Sequence, residues 1–209
     1  MDLLVGRWRR VVAGLLACAI AILIVPSAAS AAQSVGGCQL NGTASFSPGL
    51  GANAQNFSYS FHGGLSGCQS SEAGAPASGT VSAGEPVTIN GQQFQEPVPT
   101  GNGGCSSSTT AGTAIATWAD GTKTVINYST SGAAAAVHLD GTVASSVTLQ
   151  AINPQPGQPT STTVTTTRYA GDSSQGLLTF QPPDPTACNT PAGVTSAAIG
   201  GAVGLGSTS

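Results

Sequence analysis

Charge is what this 209-residue chain has least of. Charged residues make up 6% of it, five Lys and Arg against eight Asp and Glu. Three of the basic residues, Arg7, Arg9 and Arg10, fall in the first ten positions. Residues 32–209 therefore hold Lys123 and Arg168 against seven acids, a net charge of −5. Nucleic acids and anionic membranes are bound through clustered Lys and Arg, so this composition argues strongly against both as partners.

Catalytic and metal-binding groups are equally scarce. There are two histidines, His62 and His138, and no Cys-x-x-Cys or close Cys/His cluster of the kind zinc needs. No Gly-x-Ser-x-Gly elbow, phosphate loop or His-Glu-x-x-His motif occurs, and no EF-hand-like run offers calcium a loop. No metal and no cofactor is expected. Asp120 and Asp140 are explained by turns, while Glu72, Glu85, Glu96, Asp172 and Asp184 lie in Gly/Pro/Ser-rich segments that single out no carboxylate pair.

Long apolar runs are absent except at the N-terminus. Arg7, Arg9 and Arg10 precede the run Val11–Val25, and Pro26-Ser-Ala-Ala-Ser-Ala-Ala follows it. A basic segment, an apolar core and a small-residue cleavage zone form the signature of a secretory signal peptide. Fifteen apolar residues are too few for a membrane span of about 20. Cleavage fits best after Ala31, so the expectation is a signal peptide over 1–31 and one secreted domain over 32–209, with no membrane span in the mature protein. Leu15-Leu16-Ala17-Cys18 resembles a lipobox, but the apolar run continues past Cys18, and Cys18 reads as part of the signal.

Four cysteines remain, Cys38, Cys68, Cys105 and Cys188, and an exported protein meets conditions in which they can pair. Period-two alternation recurs through residues 32–209, with no sustained helical period. Phe57-Ser-Tyr59-Ser-Phe61-His62 sets three aromatics on one face of a strand. Cys38–Phe46 reads as a preceding strand, with Ser47–Gln55 as the turn. If the two strands pair with positions summing to 106 opposite each other, Cys38 faces Cys68. Four cysteines allow three pairings, and this geometry prefers 38–68 with 105–188.

Asp-Gly at 120–121 and at 140–141 predicts two type I′ hairpins, giving a four-strand meander over about 112–151. Further short strands are expected near 79–82, 87–90, 162–169, 177–181 and 193–199, separated by connectors at 95–108, 153–160 and 182–191. About ten short strands at this spacing predict an all-β fold, an antiparallel immunoglobulin-like β-sandwich braced by two disulfides.

Trp118 is the one tryptophan beyond the signal. Beside a hairpin turn it could present a flat ring to a sugar, while the small number of aromatics favours a core position. His138 and Asp140 share a face if their strand persists, and many serines are available for a Ser-His-Asp arrangement. The simpler reading leaves His138 on the solvent face and Asp140 in a turn. The Thr160–Thr167 run is a single array without repetition and suits an exposed strand.

With Cys38, Cys68, Trp118-Ala-Asp-Gly, Asp140-Gly-Thr and Cys188 together, the chain resembles small secreted actinobacterial proteins with immunoglobulin-like sandwiches. The resemblance implies export and a disulfide-braced all-β fold, and it carries over no catalytic or ligand residue. The function expected is that of a non-enzymatic extracellular protein acting at or near the cell envelope, through a surface or protein partner. The alternatives are a carbohydrate-binding module using Trp118 and a secreted hydrolase using His138.

Overall fold

A computed structural model describes residues 36–206. The leader segment, with its expected signal helix and cleavage site, lies outside the described residues. Thirteen strands and one 3₁₀ turn make up the described part. The strands are β1 (Gly36–Leu50), β2 (Gln55–Ser70), β3 (Gly79–Ala83), β4 (Pro86–Ile89), β5 (Gln92–Gln95), β6 (Thr100–Gly103) and β7 (Ser107–Trp118). They continue with β8 (Lys123–Ala133), β9 (Ala136–Ala144), β10 (Ser146–Ala151), β11 (Ser161–Thr165), β12 (Ser173–Gln181) and β13 (Val194–Leu205), and the 3₁₀ turn is Pro185–Asn189.

The all-β class holds, but the architecture is a closed barrel rather than a clear immunoglobulin-like sandwich. β1 pairs with β2 on one side and with β13 on the other, and β13 continues through β12, β9, β8 and β7 back to β2. β3 and β6 both lie between β2 and β7, β3 opposite Phe61–Leu65 and β6 opposite Gln55–Ser58. They are two halves of one strand position, interrupted by residues 84–99. Once the strands of the two excursions are set aside, each barrel position pairs with the next one along the chain, apart from the closing β13–β1 pair, so this is an eight-position up-and-down barrel.

Two excursions leave it. Residues 84–99 carry β4 and β5, residues 145–172 carry β10 and β11, and the β5–β10 ladder joins them into a four-stranded sheet. That sheet packs Phe94, Leu149 and Val164 onto Ile115 and Val125, which point outward from the barrel wall. Turn chemistry explains the β4–β5 hairpin: Asn90 and Gly91 both take positive φ, at 51° and 81°, as a type I′ turn requires. This Asn-Gly signal went unread in the sequence.

The two Asp-Gly expectations are both corrected. At 118–122 a hairpin forms, but only Gly121 has positive φ, at 83°. Its N–H donates to the Trp118 carbonyl at 2.9 Å, and Asp120 Oδ1 accepts from the Thr122 N–H at 3.0 Å. Asp120 therefore works through its side chain rather than through a left-handed backbone. At 140–141 there is no turn, because β9 runs straight through Asp140-Gly141. The β8–β9 turn falls at 134–135 instead, and β10 leaves the meander for the outer sheet. Connector 95–108 also contains β6 and the start of β7.

Both preferred disulfides are present, Cys38–Cys68 and Cys105–Cys188. The β1–β2 register sums to 105 from Ser47↔Ser58 to Gln39↔Ser66, and to 106 only at Gly37↔Gln69 and Gly36↔Ser70. A bulge at Gly67, with φ 58°, supplies the one-residue shift that brings Cys68 to Cys38.

Inside and outside alternate along each long strand. Leu40, Ala44, Phe57, Tyr59, Phe61 and Leu178 face the lumen, whereas Gln39, Asn41, Thr43 and Ser45 face outward. Membrane barrels carry the opposite arrangement, apolar outside and polar within. Among the described residues no helix is long and apolar enough to cross a membrane.

Candidate functional site

Eight strand positions enclose an interior that side chains can fill, or that can keep room for one small ligand. Here the filling is concentrated toward the two ends. At one end Leu40, Leu65, Trp118, Tyr169 and Leu205 pack together. At the other, Leu50, Phe57 and Val194 are joined by Phe46, Phe180 and the Cys105–Cys188 bridge. A cavity of about 170 Å³ remains in the lumen, bordered by residues of both clusters. Phe61, Ile126 and Leu139 face inward and yet keep accessible surface, because they border that space.

The ends are held by different devices. Tyr169, a non-glycine residue at φ 63°, sets its ring 5.5 Å from Trp118 in an edge-on contact. Arg168 next to it reaches Glu72 Oε2 at 2.9 Å and Asp120 Oδ2 at 3.0 Å, tying the β2–β3 connection and the β7–β8 turn to the same segment. Phe46 spans the other end, with ring centroids within about 6 Å of Phe57, Tyr59 and Phe180.

The cavity wall is almost entirely apolar, and none of its described lining residues carries a charge. Its main polar feature is a chain of four hydroxyls. Tyr59 Oη lies 2.6 Å from Tyr128 Oη and 3.0 Å from Thr110 Oγ1, which is 2.8 Å from Thr130 Oγ1. Strand alternation brings them together: Tyr59 faces inward between Phe57 and Phe61, while Thr110 and Thr130 are register partners on β7 and β8. Burial pushes the Tyr59 and Tyr128 phenols up, and for Tyr128 the neighbouring Tyr59 adds to the effect. Both stay neutral hydroxyls near neutral pH, able to donate and to accept.

The residues singled out from the sequence are distributed differently. Trp118, the candidate sugar platform, is 4% exposed, with Nε1 donating to Thr124 Oγ1 at 2.9 Å. A flat platform needs an open ring face. Trp118 instead lines the cavity, so its position is internal. His138 and Asp140 do share the outer face of β9, with Nδ1 3.0 Å from Oδ2, because the strand persists where a turn was expected. Their side chains are 55% and 57% exposed, which leaves the pair in solvent, where fixed dipoles are weak. His62 faces outward, 3.8 Å from Glu85.

Among the described residues no group of three or more His, Cys, Asp or Glu side chains is arranged to hold a metal ion. Sequence reasoning missed Thr110 and Thr130, which carried no motif. It placed Glu96 in a loop, where the residue does lie, directly after β5, but did not foresee its burial. That carboxylate is 1% exposed, accepting from Ser82 Oγ at 2.6 Å and from the Glu85 N–H at 3.2 Å. It joins the first excursion to the barrel wall.

No protein-family model, curated protein or solved structure matches this chain.

Proposed function

We propose that this protein is an exported, non-enzymatic binder that holds one small apolar molecule inside its barrel. The observation that carries the reading is the cavity of about 170 Å³, with no charge on its described lining residues, left in a lumen that inward side chains could otherwise have filled. An apolar cavity of about 150 Å³ is enough to take benzene. A site of action outside the cytoplasm is supported by the basic-apolar-small leader pattern and by two disulfides, which persist in oxidising compartments. Action at the cell envelope, through a surface or protein partner, fits the same export. The outer wall of small polar side chains, with net charge −5 over 32–209, supports a partner other than nucleic acid.

Titration with toluene tests the reading, because Trp118 borders the cavity and its emission reports occupancy. The expected result is a saturable shift of Trp118 fluorescence at one toluene per protein. Unchanged emission, together with unchanged NMR shifts of the Leu139 and Ile126 methyls, removes the proposal.

A further inference from the structure

We infer that the molecule held in the barrel is neutral and carries a single hydroxyl group on an otherwise apolar body of about benzene size, as a small phenol does. The inference rests on the reading of the barrel as a binding site and deepens it by naming the chemistry of the occupant.

Three observations lead there. First, none of the described residues that line the lumen carries a charge. A carboxylate or ammonium taken into it would lose its hydration with no counter-ion in reach, a cost far above any gain from burying a small hydrocarbon body. Fatty-acid-like anions and amines are thereby excluded.

Second, a wholly apolar ligand would leave the hydroxyl chain unused. Tyr128, Tyr59, Thr110 and Thr130 have four O–H hydrogens and form three bonds among themselves. In a linear chain of this kind each bond consumes one hydrogen, so one hydrogen is left over at an end. Reversing the direction of donation moves it from the Tyr128 end to the Thr130 end. Each end oxygen also keeps a free lone pair. The chain can thus donate to a ligand oxygen at one end or accept a ligand hydrogen at the other, and a hydroxyl is the group that matches either arrangement.

Third, all four side chains line the same cavity as Trp118, Phe61 and Leu139. A ring seated against these apolar groups meets the hydroxyl chain on one wall. Gln69, Ser108, Tyr169 and Ser174 also border the space, but its lining is mainly apolar, which suits a body with one hydroxyl better than a sugar with several.

The experiment compares three probes that share one hydrocarbon body: toluene, p-cresol and p-toluate, at pH 7 and with the oxidised mature protein. Wild type is expected to bind p-cresol at least as tightly as toluene and to bind p-toluate at least a hundredfold more weakly. In the Tyr128→Phe, Thr130→Val double variant both chain ends are lost, and the p-cresol-to-toluene affinity ratio should fall about tenfold or more. Unchanged toluene affinity in that variant shows that the barrel is intact. Tyr128→Phe alone, which removes one of the two ends, is the second variant should the first fail to fold, and its ratio should fall by a smaller factor. Toluene binding with an unaltered ratio in both variants overturns the hydroxyl assignment and leaves the cavity reading standing. p-Toluate binding as tight as p-cresol overturns neutrality. No binding of either neutral probe overturns the cavity reading itself, and this inference with it.

Discussion

Glu96 shows how a single residue can be energetically costly and still organise its surroundings. Its carboxylate is buried where the first excursion leaves the wall, and among the described residues its hydrogen-bond partners are Ser82 Oγ and the Glu85 N–H. Burial raises its pKa, and the hydrogen bonds from Ser82 and Glu85 offset part of that rise. A carboxyl whose folded pKa lies above its unfolded value contributes stability that is complete below the unfolded pKa of about 4.3 and is lost as pH rises through the folded value. Glu96→Gln keeps the shape, and its amide can still donate to Ser82 and accept from Glu85. The wild type should therefore be less stable than the variant at pH 7, and the gap should narrow on acidification to pH 4. Thermal melts of both proteins across that range check the sign; a gap that widens toward acid contradicts it. Trp118 illustrates the other residue-scale lesson. Both its readings were legible beforehand, and the bond to Thr124, which itself donates to the Arg168 carbonyl at 3.0 Å, places the ring inside.

At the scale of elements, the long β1–β2 hairpin sets the geometry of the wall. At 15 and 16 residues its strands far exceed the common length of five or six. Two glycines allow Phe61 to lie flat over them: a Cβ at Gly42 would sit 2.6 Å from the Phe61 ring, and one at Gly63 3.0 Å from it. The Cys38–Cys68 bridge closes the open end of this hairpin. Its loop of 31 residues implies about 3–4 kcal/mol from restricting the unfolded chain. The Cys38→Ala, Cys68→Ala double variant should lose about that much in urea unfolding while its far-UV spectrum stays all-β. A loss below about 1 kcal/mol would place the hairpin's stability in its ladder instead. The outer sheet is built at this scale too. Neither excursion forms it alone, and the β5–β10 pairing is short, Gln150↔Gln95 and Ala151↔Phe94.

The whole molecule depends on one non-local pairing. β13 bonds to its sequence neighbour β12 and also to β1, 144 to 169 positions away, with Gly36↔Leu205 at one end and Leu50↔Val194 at the other. Such closure removes the sheet's edges and encloses the lumen. Deleting residues 194–209 should therefore abolish cooperative thermal unfolding and near-UV ellipticity, and should leave apolar dyes bound to the exposed inner wall. A truncated chain that still melts cooperatively would show that the remaining seven positions close without β13.

Much of this was legible in the residues themselves. Alternation in Phe57–Phe61 fixed which face is inside, and the spacing of the cysteines around a hairpin led to the pairing observed. These are local properties, set by period-two geometry, turn chemistry and composition, and a linear chain displays them directly. Barrel as against sandwich was not legible, because both architectures ask the same alternation of every strand and differ only in whether the last strand meets the first. The extent of β9 was not legible either: cross-strand bonds to β8 and β12 on both sides hold Asp140-Gly141 extended against its turn preference. The cavity and its hydroxyl chain belong wholly to the tertiary structure, since Tyr59, Thr110, Tyr128 and Thr130 come from three strands and meet only when the wall closes around them.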